Sequence, residues 1–232
     1  MKKILVFTAT YNEKENIKKL LTLIFKHCSN ANVLIVDDNS PDKTAEEIEL
    51  LKNEFKNISL IKRDSKLGLD TAHKFAYKYA LDKGYDYLIT MDADLSHDPA
   101  ELTNFISSLE TYPFVIGSRY APGGKCLMKG RRLLMSKYGN ILIKLVLRIN
   151  CNEFTTSYRG FDLKKLGSFN LDTVKASGYS FFMKTIFEIS KRKIEIKEIP
   201  ITFKDRSQGY SKLPRIEIFR TLLNLFLLIL KK

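Results

Sequence analysis

Short apolar runs alternate with segments of helical spacing along the first half of the chain. Ile4 to Thr8 precedes a helical pattern from about Lys14, Val33 to Val36 one after Pro41, and Ile58 to Ile61 one near Thr71. Tyr87 to Met91 precedes a helix from Pro99, and Phe114 to Gly117 forms a fifth run. This alternation predicts an α/β fold with a mostly parallel, doubly wound sheet whose ligands bind beyond the carboxyl ends of the strands. Polar residues collect at those ends: Tyr11, Asn12 and Glu13 after the first run, Asp37 and Asp38 after the second, Asp92 and Asp94 after the fourth, Ser118 and Arg119 after the fifth. Neither a GxGxxG element nor a Walker A lysine motif follows a strand, which argues against a dinucleotide oxidoreductase and a P-loop enzyme.

Asp92-Ala93-Asp94 ends the fourth run with two carboxylates one residue apart. On an extended strand they point the same way, and they repel unless a hard divalent cation such as Mg2+ or Mn2+ lies between them. Asp98-Pro99-Ala100-Glu101 reads as the N-cap, first-turn proline and capping-box glutamate of the next helix, leaving Asp92 and Asp94 for chelation. Asn12 with Glu15 forms a second expected capping pair.

From Arg132 to Ile149, the residues Arg132, Ser136, Lys137, Asn140, Lys144 and Arg148 form one polar stripe on an otherwise apolar helix. Two readings are open: a helix at a membrane interface, or a core helix whose lysines snorkel. The segment Pro214 to Lys232 is apolar after Arg220 but shorter than the roughly 20 residues of a spanning helix, so it lies on a bilayer or packs against protein. The expected division is a catalytic domain over 1–213 and an amphipathic C-terminal helix over 214–232. A chain of 232 residues with 44% hydrophobic content suffices for one well-cored domain. The net charge of +13 matters mainly through residues 121–150, which carry lysines and arginines but no acid. An anionic partner should dock there, and without interleaved aromatics nucleic acid is not expected. Cys28, Cys126 and Cys151 show no disulfide or zinc spacing and suit a reducing cytoplasm. Lys2 and Lys3 lead straight into the first run, as for a first strand rather than a signal peptide.

Ala9-Thr-Tyr-Asn-Glu13, Val36-Asp-Asp-Asn-Ser-Pro-Asp42, Leu67-Gly68, Met91-Asp-Ala-Asp-Leu-Ser-His-Asp-Pro99, Gly117-Ser-Arg-Tyr120, Thr155-Thr-Ser-Tyr-Arg159 and Asp205-Arg-Ser-Gln-Gly-Tyr-Ser-Lys212 follow one another in a characteristic order. In that order and spacing the chain resembles the dolichol-phosphate mannose synthases of glycosyltransferase family 2. The resemblance implies a GT-A nucleotide-sugar-binding fold, a divalent cation, and sugar transfer from a nucleoside diphosphate to a polyprenyl phosphate at the cytoplasmic face of a membrane. It places Ala9, Tyr11, Glu13, Asp37, Asp38, Asp92 and Ala93 at the nucleotide and Asp92, Asp94 and Ser96 at the metal. Asp94, Arg119, Arg206 and Lys212 would carry catalysis, the last three on phosphates, with Arg132 and Ser136 at the lipid phosphate; Arg159 is either a further site residue or a brace. Ala9 stands where the family has proline, and Leu69 to His73 and Met128 also depart from its pattern.

A phosphate acceptor is anionic near neutral pH and needs no general base, so direct displacement with inversion is expected. Mannose from GDP-mannose is the leading donor, with other nucleotide sugars such as UDP-glucose open. The chain has no tryptophan, hence no QxxRW element of the processive synthases. A hydroxyl acceptor, with Asp98 or Asp162 as base, is the alternative transferase reading; a non-catalytic basic protein that binds nucleic acid or membrane is the alternative outside enzymes.

Overall fold

The computed structural model describes residues 2–204 and 223–226. Five parallel strands, β1 (Ile4–Thr10), β2 (Asn32–Asp37), β3 (Ile58–Lys62), β4 (Tyr87–Thr90) and β5 (Phe114–Ser118), follow the apolar runs. Helices α1 (Lys14–His27), α2 (Thr44–Leu51), α3 (Leu69–Asp82) and α4 (Leu102–Thr111) connect them. Further along lie β6 (Lys125–Cys126), α5 (Gly130–Leu147), β7 (Arg159–Asp162), α6 (Tyr179–Lys191), β8 (Ile196–Pro200) and β9 (Thr202–Phe203).

The main sheet has seven strands in the order β3-β2-β1-β4-β7-β5-β8, and β6 pairs with β9 in a small second sheet. Strand alternation divides the core. Leu5, Phe7, Leu34 and Val36 face α3 and α6, whereas Ile4, Val6, Val33 and Ile35 face α1, α2 and α4. The inner parallel strands, covered on both faces, bury nearly every position and read as apolar runs, whereas the edge strand β3 is only partly buried.

Strand β7 is antiparallel to both neighbours, β4 and β5. It therefore begins where they end, and the segment 153–158 that leads into it crosses the carboxyl edge of the sheet. This insertion has no apolar run to announce it, since β7 reads Arg-Gly-Phe-Asp.

Helix α5 turns a mixed face to the domain and leaves much of its apolar surface exposed, while Arg132, Lys137 and Arg148 of the polar stripe are also exposed. Of the polar stripe, Asn140 is buried and Ser136 and Lys144 are half-buried toward the domain, whereas Leu134, Met135, Tyr138, Ile141, Leu142 and Leu145 are exposed, Leu145 to 69%. The inward face is held by polar links: Tyr120 Oη donates to Ser136 Oγ at 2.7 Å, Phe154 N to Asn140 Oδ1 at 2.7 Å, and Lys144 Nζ to Asn152 Oδ1 at 2.6 Å. Ile143 and Leu147 anchor the same face in the core. The helix ends at Leu147, where Arg148 takes a left-handed conformation with φ of 55°, rather than at Ile149.

The division at 213/214 lies outside the described residues. Within the C-terminal segment, residues 223–226 are helical; Leu225 enters the core and Asn224 Nδ2 donates to Ser180 Oγ at 3.0 Å, while Leu223 and Phe226 are exposed.

Candidate active site

The site is assembled at the carboxyl edge of the sheet. After β1, Asn12 takes a left-handed conformation (φ 60°) and Glu13, not Asn12, occupies the position before α1, its carboxylate accepting from Asn16 Nδ2 at 2.8 Å. The expected Asn12–Glu15 capping pair is therefore not formed: Glu13 holds the cap position and makes no side-chain cap hydrogen bond. The ring of Tyr11 carries Lys66 Nζ 3.8 Å from its centroid, a cation–π contact at the rim.

Asp37 is buried and saturated. It accepts from Thr10 Oγ1 at 2.8 Å, from Ser40 N at 2.9 Å and from Ser40 Oγ at 2.5 Å. Asp38 accepts from Arg63 Nη1 at 2.8 Å and from the Gly68 amide at 3.0 Å. The pair thus organises the turn joining β2 to α2 and the loop leading into α3.

Strand β4 ends at Thr90, so Asp92 and Asp94 lie in the following turn and not on the strand. Alternation therefore does not aim them; the turn does. Leu95 is left-handed (φ 62°), an uncommon state for a bulky residue that surrounding contacts must hold. Asp94 Oδ1 accepts from Ser96 N at 3.0 Å, and Ser157 Oγ donates to Asp92 Oδ1 at 2.5 Å. Ser96 Oγ is buried with no hydrogen-bond partner. Two carboxylates beside an unsatisfied hydroxyl make a hard oxygen donor set, which fits Mg2+ or Mn2+. Ala93 is buried between them.

His97, which the sequence reasoning left without a role, is buried under this turn. Its Nδ1 accepts from the Asp92 amide at 3.0 Å and its Nε2 lies 3.2 Å from Thr156 Oγ1. Burial lowers its pKa, against the pull of Asp92 and Asp94, and Nδ1, because it accepts the Asp92 amide, carries no proton. The 3.8 Å approach of Nδ1 to Asp92 Oδ2 is accordingly not an ion pair.

Arg119, expected on phosphate, is already engaged. Its Nε and Nη2 meet Glu153 at 2.6 and 2.8 Å, and Nη2 also reaches Thr155 Oγ1 at 2.7 Å. Burial opposes the charge on each partner, but the pairing wins: the arginine pKa lies above its usual value and the glutamate pKa below. A signal for Glu153 existed, because it is the one acid between Glu110 and Asp162. Arg159 is a brace: its guanidinium donates to the carbonyls of Thr156, Phe154 and Phe182 at 2.9, 3.2 and 2.9 Å. Burial without a carboxylate partner pulls its pKa down to about 9.

Asp98 caps the 3-10 turn Pro99–Glu101 through the Ala100 amide at 3.1 Å and pairs with Lys204 Nζ at 2.9 Å. Glu101 accepts from Asn104 Nδ2 at 2.7 Å. Asp162 aligns with Tyr87, the first residue of β4, and so lies at the opposite edge of the sheet. Arg132 is exposed on the first turn of α5, one turn before Ser136. Arg206 and Lys212 lie outside the described residues.

Residues 5–169 match the family description Glycosyl transferase family 2. The chain belongs to glycosyltransferase family 2. As a member of that family it is 33% identical over 212 residues to the undecaprenyl-phosphate mannosyltransferase of Micrococcus luteus, covering 91% of this chain and 87% of that one. It is 34% identical over 214 residues to the polyprenol monophosphomannose synthase of Mycolicibacterium smegmatis, covering 90% and 80%. Its fold is that of the glucosyl-3-phosphoglycerate synthase of Mycobacterium tuberculosis, solved with Mn2+, UDP and phosphoglyceric acid (TM-score 0.70, 14% identity, 98% of this chain and 78% of that one). The same holds for a mannosyltransferase from Pyrobaculum calidifontis solved with GDP-Man and Mn2+ (TM-score 0.63, 19% identity, 100% and 65%).

Proposed function

We propose that this family 2 glycosyltransferase moves a hexose, mannose from GDP-mannose as the leading donor, onto a polyprenyl monophosphate at the cytoplasmic face of a membrane. The observation that carries the acceptor class is the position of α5: its apolar side faces outward while Ser136 is tied to Tyr120, next to Arg119 at the end of β5. Both relatives named above act on polyprenyl carriers by name.

In this reading Ala9, Tyr11, Glu13, Asp37 and Asp38 shape the nucleotide pocket. Asp92, Asp94 and Ser96 hold the divalent cation, which when bound offsets charge on the departing diphosphate. An acceptor phosphate oxygen forms a bond to the anomeric carbon as the bond from that carbon to the diphosphate breaks, with inversion. The acceptor is a phosphate monoester, its second pKa about 6, so it is already the nucleophile at neutral pH. Arg132 and Ser136, with Arg206 and Lys212, bring two anions together, the part arginine forks play best. Arg119 supports them through the loop it braces with Glu153.

The exposed leucines of α5 seat in the bilayer and the basic residues of 121–150 meet anionic headgroups. No helix among the described residues is long and apolar enough to cross a membrane.

The test incubates the protein with labelled GDP-mannose or UDP-glucose, Mn2+, and a polyprenyl phosphate or the free polyprenol. Organic-extractable label from GDP-mannose and the phosphate alone, abolished by chelator, is expected. Label on the free alcohol, or none on either lipid, overturns the reading.

A further inference from the structure

We infer that His97 is a positioning residue that fastens the cation-binding turn to the loop before β7, through hydrogen bonds made by both of its ring nitrogens. The inference rests on the reading of Asp92 and Asp94 as donor-side cation ligands.

Main-chain accounting shows why the turn needs such a bridge. The ladder between β1 and β4 is continued as far as the Met91 amide, which donates to Phe7 O at 2.9 Å. The next amide, that of Asp92, donates to His97 Nδ1. A part-buried amide left without an acceptor is costly, and the chain then turns through left-handed Leu95, a conformation an L side chain disfavours. A turn of this kind keeps its shape only when several contacts fix it.

His97 supplies those contacts from within the turn and hands them to another part of the chain. With Nδ1 accepting, its ring proton is on Nε2 and points to Thr156 Oγ1, which also receives the Tyr158 amide at 3.2 Å. The adjacent Ser157 grasps the carboxylate of the same Asp92. Main chain and side chain of Asp92 are therefore both held by one three-residue stretch, Thr156 through His97 and Ser157 directly. The ring itself is clamped by Tyr158, 4.9 Å between centroids, and by Phe203, 5.5 Å and edge-on. His97 thus sets where the Asp92 carboxylate stands relative to Asp94, without touching substrate.

The experiment compares His97→Leu, His97→Asn and Thr156→Val with the unsubstituted chain. Asparagine places a carbonyl oxygen where Nδ1 was; leucine fills space without an acceptor; valine removes the outer anchor and keeps the ring. Calorimetric titrations of GDP and of UDP are run with and without Mn2+, alongside hydrogen exchange over residues 91–96 in the ligand-free protein. His97→Leu should lose about tenfold or more in Mn2+-dependent affinity, the range for outer partners of metal ligands, with Mn2+-free nucleotide affinity unchanged and faster exchange over 91–96. His97→Asn should recover most of both, and Thr156→Val should show a smaller loss of the same kind, which keeps the test decisive if the leucine variant does not fold. Unchanged Mn2+-dependent affinity in a folded His97→Leu or in Thr156→Val, or no recovery with asparagine, overturns the inference alone. Absence of Mn2+-dependent nucleotide binding by the unsubstituted chain overturns the donor-site reading and this inference with it.

Discussion

Arg119 and Glu153 are almost fully enclosed and joined by two charge-assisted hydrogen bonds. Removing one partner of such a pair leaves a lone buried charge, which typically costs about 3–5 kcal/mol, so loss of activity in an alanine variant here mixes folding with chemistry. His73 gives a cleaner measure of what burial does to a single group. It is packed edge-on against Phe7 and Phe182, each with ring centroids 5.1 Å away. Burial, assisted by the Arg159 charge, pulls its pKa from 6.5 to about 3. The folded value lies below the unfolded one, so the unfolded chain binds the proton first. The stability the neutral ring contributes is complete above about pH 6.5 and is lost as pH falls toward 3. Between pH 7 and pH 5 the loss from this residue comes to about 2 kcal/mol, at roughly 1.4 kcal/mol per unit. Urea unfolding at those two pH values should show His73→Phe less acid-sensitive by about that amount; an unchanged difference would mean the ring is protonated inside the fold.

Among the elements, α5 carries the clearest functional signal and also the clearest limit of pattern reading. Its spacing shows a polar stripe, but spacing alone cannot say which side turns inward, and globular helices ordinarily bury the apolar one. Here Asn140 and Ser136 find partners on the domain while Leu134, Leu142 and Leu145 stay exposed. Strands β1 to β5 were legible as apolar runs, which burial on both faces gives the inner strands. Strands β6, β8 and β9 were not: two have two residues each, and β8 reads Ile-Lys-Glu-Ile-Pro. The exposed leucines lead to a prediction at this scale. Leu142→Asp with Leu145→Asp should leave the thermal midpoint nearly unchanged, since both side chains are already 43% and 69% exposed. It should lower binding to anionic vesicles about a hundredfold or more, because seating a leucine in an apolar phase is worth roughly 1.5–3 kcal/mol and a carboxylate opposes it. Vesicle flotation reads the loss. A solution dimer that the substitutions dissolve would assign the face to a second copy of the chain instead.

For the molecule as a whole, function depends on β7 entering between β4 and β5 against their direction. That insertion brings Ser157 to Asp92 across 65 positions of sequence and Glu153 to Arg119 across 34, closing one site from loops that the parallel strands alone leave separate. The strand-end acids were readable because they follow apolar runs; their partners were not, because nothing local records a pairing between distant segments. The same topology bears on the reaction. Asp162 is at the far edge of the sheet, held by the amides of Lys164 and Lys165 at 3.0 and 2.9 Å. Asp98 is at the near side, where burial would raise its pKa but Lys204 and the Ala100 amide bring it below the usual value, which makes it a weak base. Neither is suited to take a proton from an alcohol, whereas a phosphate acceptor asks for none. Asp98→Asn and Asp162→Asn should therefore keep turnover with polyprenyl phosphate within about tenfold of the unsubstituted enzyme, well short of the 10²–10⁴ that a general base supplies. Arg206→Ala and Lys212→Ala should each lose more than either aspartate variant if, as proposed, their charges draw the two anions together. Steady-state assays with the phosphate and with the free polyprenol decide between the two chemistries: a collapse in an aspartate variant, or equal use of the alcohol, would replace direct phosphate attack with base-assisted transfer to a hydroxyl.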